Sequence, residues 1–112
     1  MKEVRALSAQ REATPASPTD TDTYRALART IRQLFPSTLV APTLVLGGTD
    51  SRHYSALSSN VYRFAPLVVT QEDLKRVHGT NERLPVEDWP RMVRFYREVL
   101  RTVAGVESGP RP

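Results

Sequence analysis

At 112 residues, 39% of them hydrophobic, the chain has room for one small globular unit and not for a large self-contained enzyme. It contains no cysteine, which excludes disulfide staples, thiolate metal sites and a thiol nucleophile together, so any metal must be held by nitrogen and oxygen. A formal net charge of +4 invites a nucleic-acid reading, but the arginines fall on the outer faces of two predicted helices among Asp20, Asp22, Glu87, Asp88 and Glu98, the pattern of a solvated basic surface and not of a phosphate footprint.

Residues 3–7, "EVRAL", alternate as a short strand. "REATPASPTD" then interrupts regular structure with two prolines among Ser and Thr, so a boundary or linker is expected over residues 13–19. Tyr24, Leu27, Ala28, Ile31, Leu34 and Phe35 repeat at three-four spacing, with Asp20, Thr21 and Asp22 as available caps and Pro36 as the stop, which predicts an amphipathic helix. "TLVAPTLVLGG" is apolar and β-branched and ends at Gly47 and Gly48, as expected of a strand buried on both faces, with Pro42 marking an irregular or edge portion. "NVYRFAPLVV" is again strand-like up to Pro66. Pro85 suits the first turn of a last helix, Glu87 and Asp88 complement its dipole, and Val86, Trp89, Met92, Val93, Tyr96, Val99, Leu100 and Val103 form one apolar stripe. Helix, strand, strand, helix predicts an α/β layered domain over residues 20–104, followed by a disordered tail, 105–112. No apolar run approaches the roughly 20 residues that cross a bilayer, and "MKEVRALSAQREATP" lacks a signal peptide's apolar core, so a soluble, cytoplasmic protein with no membrane partner is the default expectation.

Polar residues crowd two places. Gly47 and Gly48 directly follow a predicted buried strand, where open α/β sheets place their ligand sites, and Thr49, Asp50, Ser51, Arg52 and His53 follow in succession. A glycine pair at a strand end also serves as a plain tight turn, and neither GxGxxG nor GxxxxGK[ST] occurs. Arg52 can clamp a carboxylate through its planar fork or pair with Asp50. The second place is "RVHGTNER". His78 can offer one ring nitrogen to zinc while a neighbour orients the other, or be an ordinary surface histidine, since no HxxxH, HExxH or HxH accompanies it. Glu82 is either an acceptor supporting His78 or a partner of Arg83.

"GGTDSRHY", "NVYRF" and "HGTNER", in this order and followed by "VRFYREVL", resemble the C-terminal end of the zinc-dependent aminoacylase and carboxypeptidase S group of peptidases, over about Val4 to Ala104. The resemblance implies that His78, Gly79, Thr80, Asn81 and Glu82 carry the family's last metal-binding histidine, with Asn81 and Glu82 supporting it. It also implies that Gly48, Thr49, Asp50 and Arg52 contact the substrate. The implied fold is the C-terminal part of a three-layer α/β/α zinc-exopeptidase domain, with residues 1–12 as the last strand of a lid and dimerisation domain. The boundary that composition puts at 13–19 falls where such a chain would re-enter the catalytic domain.

In that group two zinc ions bridged by a carboxylate and a water hydrolyse the amide of an N-acyl amino acid or short peptide. Paired metals lower the pKa of the water, polarise the carbonyl and stabilise the oxyanion. The other ligands and the glutamate base come from upstream sequence in the family, and nothing in this chain matches them. Because a catalytic zinc normally needs three protein ligands, His78 alone is expected to hold metal weakly. The first reading is a fragment that is inactive without the missing N-terminal part of the catalytic domain, the full-length enzyme being a possible homodimer. A stand-alone binding module, or a remnant that has lost the chemistry, is the alternative.

Overall fold

The computed structural model describes residues 13–105. Among these residues three α-helices, α1 (Asp22–Leu34), α2 (Gln71–Leu74) and α3 (Asp88–Ala104), are joined by long irregular segments and one 3₁₀ turn at Asp50–His53. The "EVRAL" segment, and all but Gly105 of the 105–112 tail, lie outside the described residues.

Helix α1 begins as its caps dictate. The Thr21 hydroxyl accepts from the Tyr24 N–H at 3.2 Å, satisfying one of the donors that a helix start leaves free. Asp22 sits in the first turn and Arg32 in the last, both of the sign that the helix dipole favours. Ala28, Thr30 and Ile31 are buried. Thr30 returns its hydroxyl to the Ala26 carbonyl at 3.1 Å, which is how a hydroxyl tolerates an apolar contact.

Helix α3 starts later than Pro85 suggests. Asp88 N donates to Pro85 O at 3.1 Å and Trp89 N to Val86 O at 3.2 Å, so Pro85 and Val86 form a lead-in turn. Pro90 is the proline that occupies the first helical turn, where its missing N–H costs nothing. The helix ends at Gly105, whose φ of 62° lies in the left-handed region that glycine enters most readily.

Helices α1 and α3 pack on each other, but not through the stripe that apolar spacing indicates. The buried apolar side chain of α3 among the described residues is Phe95, at 2% exposure, while Trp89 is 63% exposed and Val93, Tyr96, Leu100 and Val103 are exposed as well. Phe95 meets Phe64 at 5.0 Å between ring centroids and Tyr96 edge-on at 5.3 Å, in the tilted geometries that aromatic quadrupoles favour. Asp88 is buried and pairs with Arg91 at 3.0 Å; the Arg91 guanidinium also lies 5.9 Å from the Phe35 ring centroid, so one cation joins the start of α3 to the end of α1.

The segment 61–66 runs alongside this helix pair. Ser17 Oγ donates to Val61 O and accepts from Val61 N, both at 3.0 Å. Tyr62 OH donates to Pro18 O at 2.7 Å, lies 2.8 Å from Thr21 Oγ1 and stacks at a tilt on Tyr24. Pro66 is fully buried. The predicted linker at 13–19 is thus irregular but tied down by specific hydrogen bonds.

Both predicted strand regions are without regular secondary structure, and no paired strand occurs among the described residues. A strand needs a neighbour to complete its backbone hydrogen bonds. Leu39 and Leu46, in the segment expected to be buried on both faces, are 94% and 96% exposed. Sequence pattern identifies a stretch suited to a sheet; it does not supply the other strands.

Candidate functional site

The His78 loop is built from α2 outward. Thr70 and Asp73 form a capping box: Asp73 N donates to Thr70 Oγ1 at 3.2 Å, and Thr70 N and Oγ1 both donate to Asp73 Oδ2, at 2.9 and 2.6 Å. These two bonds from Thr70, hydroxyl first, hold the Asp73 carboxyl below its ordinary value, with the charges of Arg76 and Arg83 adding to the effect. Arg76 closes on the same carboxylate at 3.0 Å, and Gly79 N donates to Arg76 O at 2.9 Å.

His78 then turns into the left-handed region with φ 60°, as does Asn81 with φ 64°. For residues with a Cβ this conformation is strained and persists only where neighbours enforce it. The enforcing group at His78 is Glu82, whose Oε2 accepts the His78 backbone N–H at 3.0 Å. Of the two roles open to Glu82, the structure shows it as an acceptor for His78, at the main chain and not at the ring, with no ion pair to Arg83 among the described residues. The histidine side chain is exposed.

The 47–54 loop is organised by hydroxyls. Thr49 Oγ1 accepts Ser51 N at 3.3 Å, Arg52 N donates to Thr49 O at 3.3 Å and Tyr54 N to Ser51 O at 3.0 Å. Ser55 Oγ closes the turn on Arg52 O at 2.7 Å. A Cβ at Gly47 or Gly48 would meet nothing within 4 Å, so crowding from this chain's own atoms does not call for glycine there. Asp50 and Arg52 form no ion pair among the described residues, and both are exposed.

Sequence reasoning passed over the residue that ties this loop down. Arg63 Nε donates to Thr49 Oγ1 at 3.1 Å and to Ser51 Oγ at 2.5 Å, and its Nη2 donates to Thr14 Oγ1 at 3.3 Å. Contacts spanning 12 to 49 residues leave no local periodic signal. The Thr70 capping box does leave one, since "TQED" places an acid three residues after a hydroxyl.

The structure thus presents two separate polar loops. Among the described residues no hydrogen bond or ion pair joins Gly48–Arg52 to His78, and no group of three or more His, Cys, Asp or Glu side chains could hold a metal ion. His78 has the donor chemistry of a zinc ligand, but these residues do not by themselves fit a complete zinc site. No helix among the described residues is long and apolar enough to cross a membrane.

Residues 3–102 match the model of peptidase family M20/M25/M40. The chain is 40% identical over 90 residues to a probable carboxypeptidase S-like 2 of Dictyostelium discoideum, covering 80% of this chain and 17% of the relative. It is 42% identical over 88 residues to the N-fatty-acyl-amino acid synthase/hydrolase PM20D1 of Xenopus tropicalis, covering 78% of this chain and 17% of the relative. To the Homo sapiens protein of the same name it is 37% identical over 90 residues, covering 78% of this chain and 18% of the relative. The matched stretch is therefore under a fifth of the length of these relatives. No solved structure gives a significant match.

Proposed function

This chain belongs to peptidase family M20/M25/M40, and from that premise we propose that it is the C-terminal part of a di-zinc amidohydrolase that cleaves the amide bond of N-acyl amino acids or short peptides. The family supports hydrolase chemistry of the peptidase type. The substrate class is carried by relatives whose names specify carboxypeptidase S-like proteins and N-fatty-acyl-amino acid hydrolases.

The observation that bears most on this reading is the His78 loop. A strained backbone persists there under the hold of Glu82 and leaves an imidazole exposed. In the proposed enzyme His78 supplies one ligand to a zinc site completed by residues from elsewhere, and the metals supply an activated water and a polarised carbonyl. Gly48, Thr49, Asp50 and Arg52 would meet the substrate, Arg52 through its planar fork. The segments 38–48 and 60–69 would pair within a sheet, giving the α/β/α layering, and α1 and α3 would cover one of its faces.

By itself the 112-residue chain is inactive on this reading, because one histidine does not make a catalytic zinc site. The test has two arms. The purified chain is assayed with zinc on N-acyl amino acids; turnover abolished by His78→Ala overturns the inactivity. The native gene product, captured through α3 and weighed intact, is then assayed in the same way. Zinc-dependent release of the free amino acid by a product several-fold heavier than 12.6 kDa supports the proposal. A product at 12.6 kDa that stays inactive in every fraction replaces it with a binding module or a remnant without catalysis.

A further inference from the structure

We propose that Arg63 is the positioning residue of the Gly48–Arg52 loop, holding it in the conformation that presents Asp50 and Arg52; its functional consequence rests on the proposal that this loop contacts substrate. Two segments remote in sequence from Arg63 and from each other converge on its guanidinium. Nε is shared between Thr49 Oγ1 and Ser51 Oγ, and Nη2 reaches Thr14 Oγ1.

The arrangement has a specific logic. Thr49 Oγ1 already accepts the Ser51 N–H, so its second lone pair is open to Arg63. The Thr49 and Ser51 hydroxyls are also within 2.5 Å of each other. A cationic donor on this pair strengthens both contacts, so the local turn and its long-range anchor reinforce each other. Thr14 fixes the far side of the fork to the segment that Ser17 holds against Val61. A lysine keeps the charge but not a planar fork aimed in two directions. Asp50 and Arg52, by contrast, leave their charged ends exposed, as groups that present themselves and do not build the loop.

The test reads the loop directly in the ¹⁵N-labelled chain. In the wild type the Arg63 Nε–H gives a protected signal, and the amides of residues 49–52 show order parameters near the rigid value of about 0.85. Arg63→Ala lowers these toward about 0.6 while Ile31 and Phe95 keep their shifts. Arg63→Lys restores them only in part, and the double change Thr49→Val with Ser51→Ala, which leaves the guanidinium in place but removes both Nε acceptors, removes the Nε–H protection. Unchanged order at 49–52 in Arg63→Ala, or full rescue by lysine, overturns the proposal. These readouts contain no substrate, so their outcome stands even if the hydrolase reading fails. In the native gene product, Arg63→Ala raises KM about five- to tenfold with kcat nearly unchanged; a fall in kcat at constant KM overturns the substrate-positioning role.

Discussion

The Glu82 carboxylate accepts the backbone N–H of His78 at 3.0 Å and so closes the turn that puts His78 in the left-handed region at φ 60°. A metal-ligating histidine is commonly oriented through its ring; here the support acts on the main chain, fixing where the Cβ of His78 points before any ring contact is made. The residue that positions the imidazole and the residue that could electronically tune it are therefore separable by mutation.

Glu82→Ala should release the His78 amide and cost about 1 kcal/mol, as expected of a hydrogen bond to a charged group at an exposed position. Glu82→Gln keeps an acceptor of the same length and should retain most of the effect. His78→Gly relieves the left-handed conformation and should be neutral or stabilising by up to about 1 kcal/mol. Chemical denaturation, with the backbone amide at position 78 followed by NMR, separates the three variants. Equal losses for Glu82→Gln and Glu82→Ala would show that the bond does not hold the turn.

Zinc added to the 112-residue chain should perturb the His78 ring signals weakly and without saturating at stoichiometric metal, and His78→Ala should abolish the perturbation. A single nitrogen donor leaves most of zinc's coordination to water, and no cluster of three or more candidate ligands lies among the described residues. Tight binding with 1:1 stoichiometry, measured by calorimetry, would mean that ligands outside these contacts join His78.

Asp73 makes the His78 region acid-sensitive. Its carboxyl is lowered from 3.8 by the Thr70 hydroxyl first and the Thr70 N–H second. A depressed folded-state value means that the folded form binds fewer protons than the unfolded one, so the stabilisation is complete above the unfolded value and disappears as pH falls through the folded one. The α2 cap should hold from neutrality to about pH 4 and be lost below it. Asp73→Asn should flatten that acid limb, with the Thr70 and residue-73 amide shifts as the readout; an unchanged limb would assign the transition to another carboxylate.

Helix α1 was legible because Thr21, the apolar spacing and Pro36 all agree on its limits. The polar cluster was legible for the residue types it gathers, and the family resemblance singled out His78. The tertiary side of both sites was not: Arg63 reaches Thr14, Thr49 and Ser51 across separations with no periodic signature, and Glu82 acts on a backbone group that sequence does not display. The strands read from residues 38–48 and 60–69 are stretches with strand chemistry whose pairing depends on neighbours not found among the described residues. Apolar periodicity marked the stripe of α3 but passed over Phe95, since it finds residues that avoid water without saying which partner hides them.

That last point yields a paired prediction. Phe95 is buried against Phe64 on the helix that packs on α1, so Phe95→Ala should cost about 3–5 kcal/mol, enough to unfold most of a chain whose total stability is expected to be no more than several kcal/mol. Trp89, though larger, stands 63% exposed, and Trp89→Ala in the 112-residue chain should stay within about 0.5 kcal/mol of wild type. If the native product is longer and its remainder covers the face formed by Trp89, Val93, Tyr96 and Leu100, the same Trp89→Ala change becomes costly there, by about 3 kcal/mol. Urea unfolding of both forms decides the matter. A Trp89 effect as large as that of Phe95 in the short chain would mean that the exposed face is covered in solution already, whereas a Trp89 effect confined to the longer form would show that α3 is built to be packed on both sides.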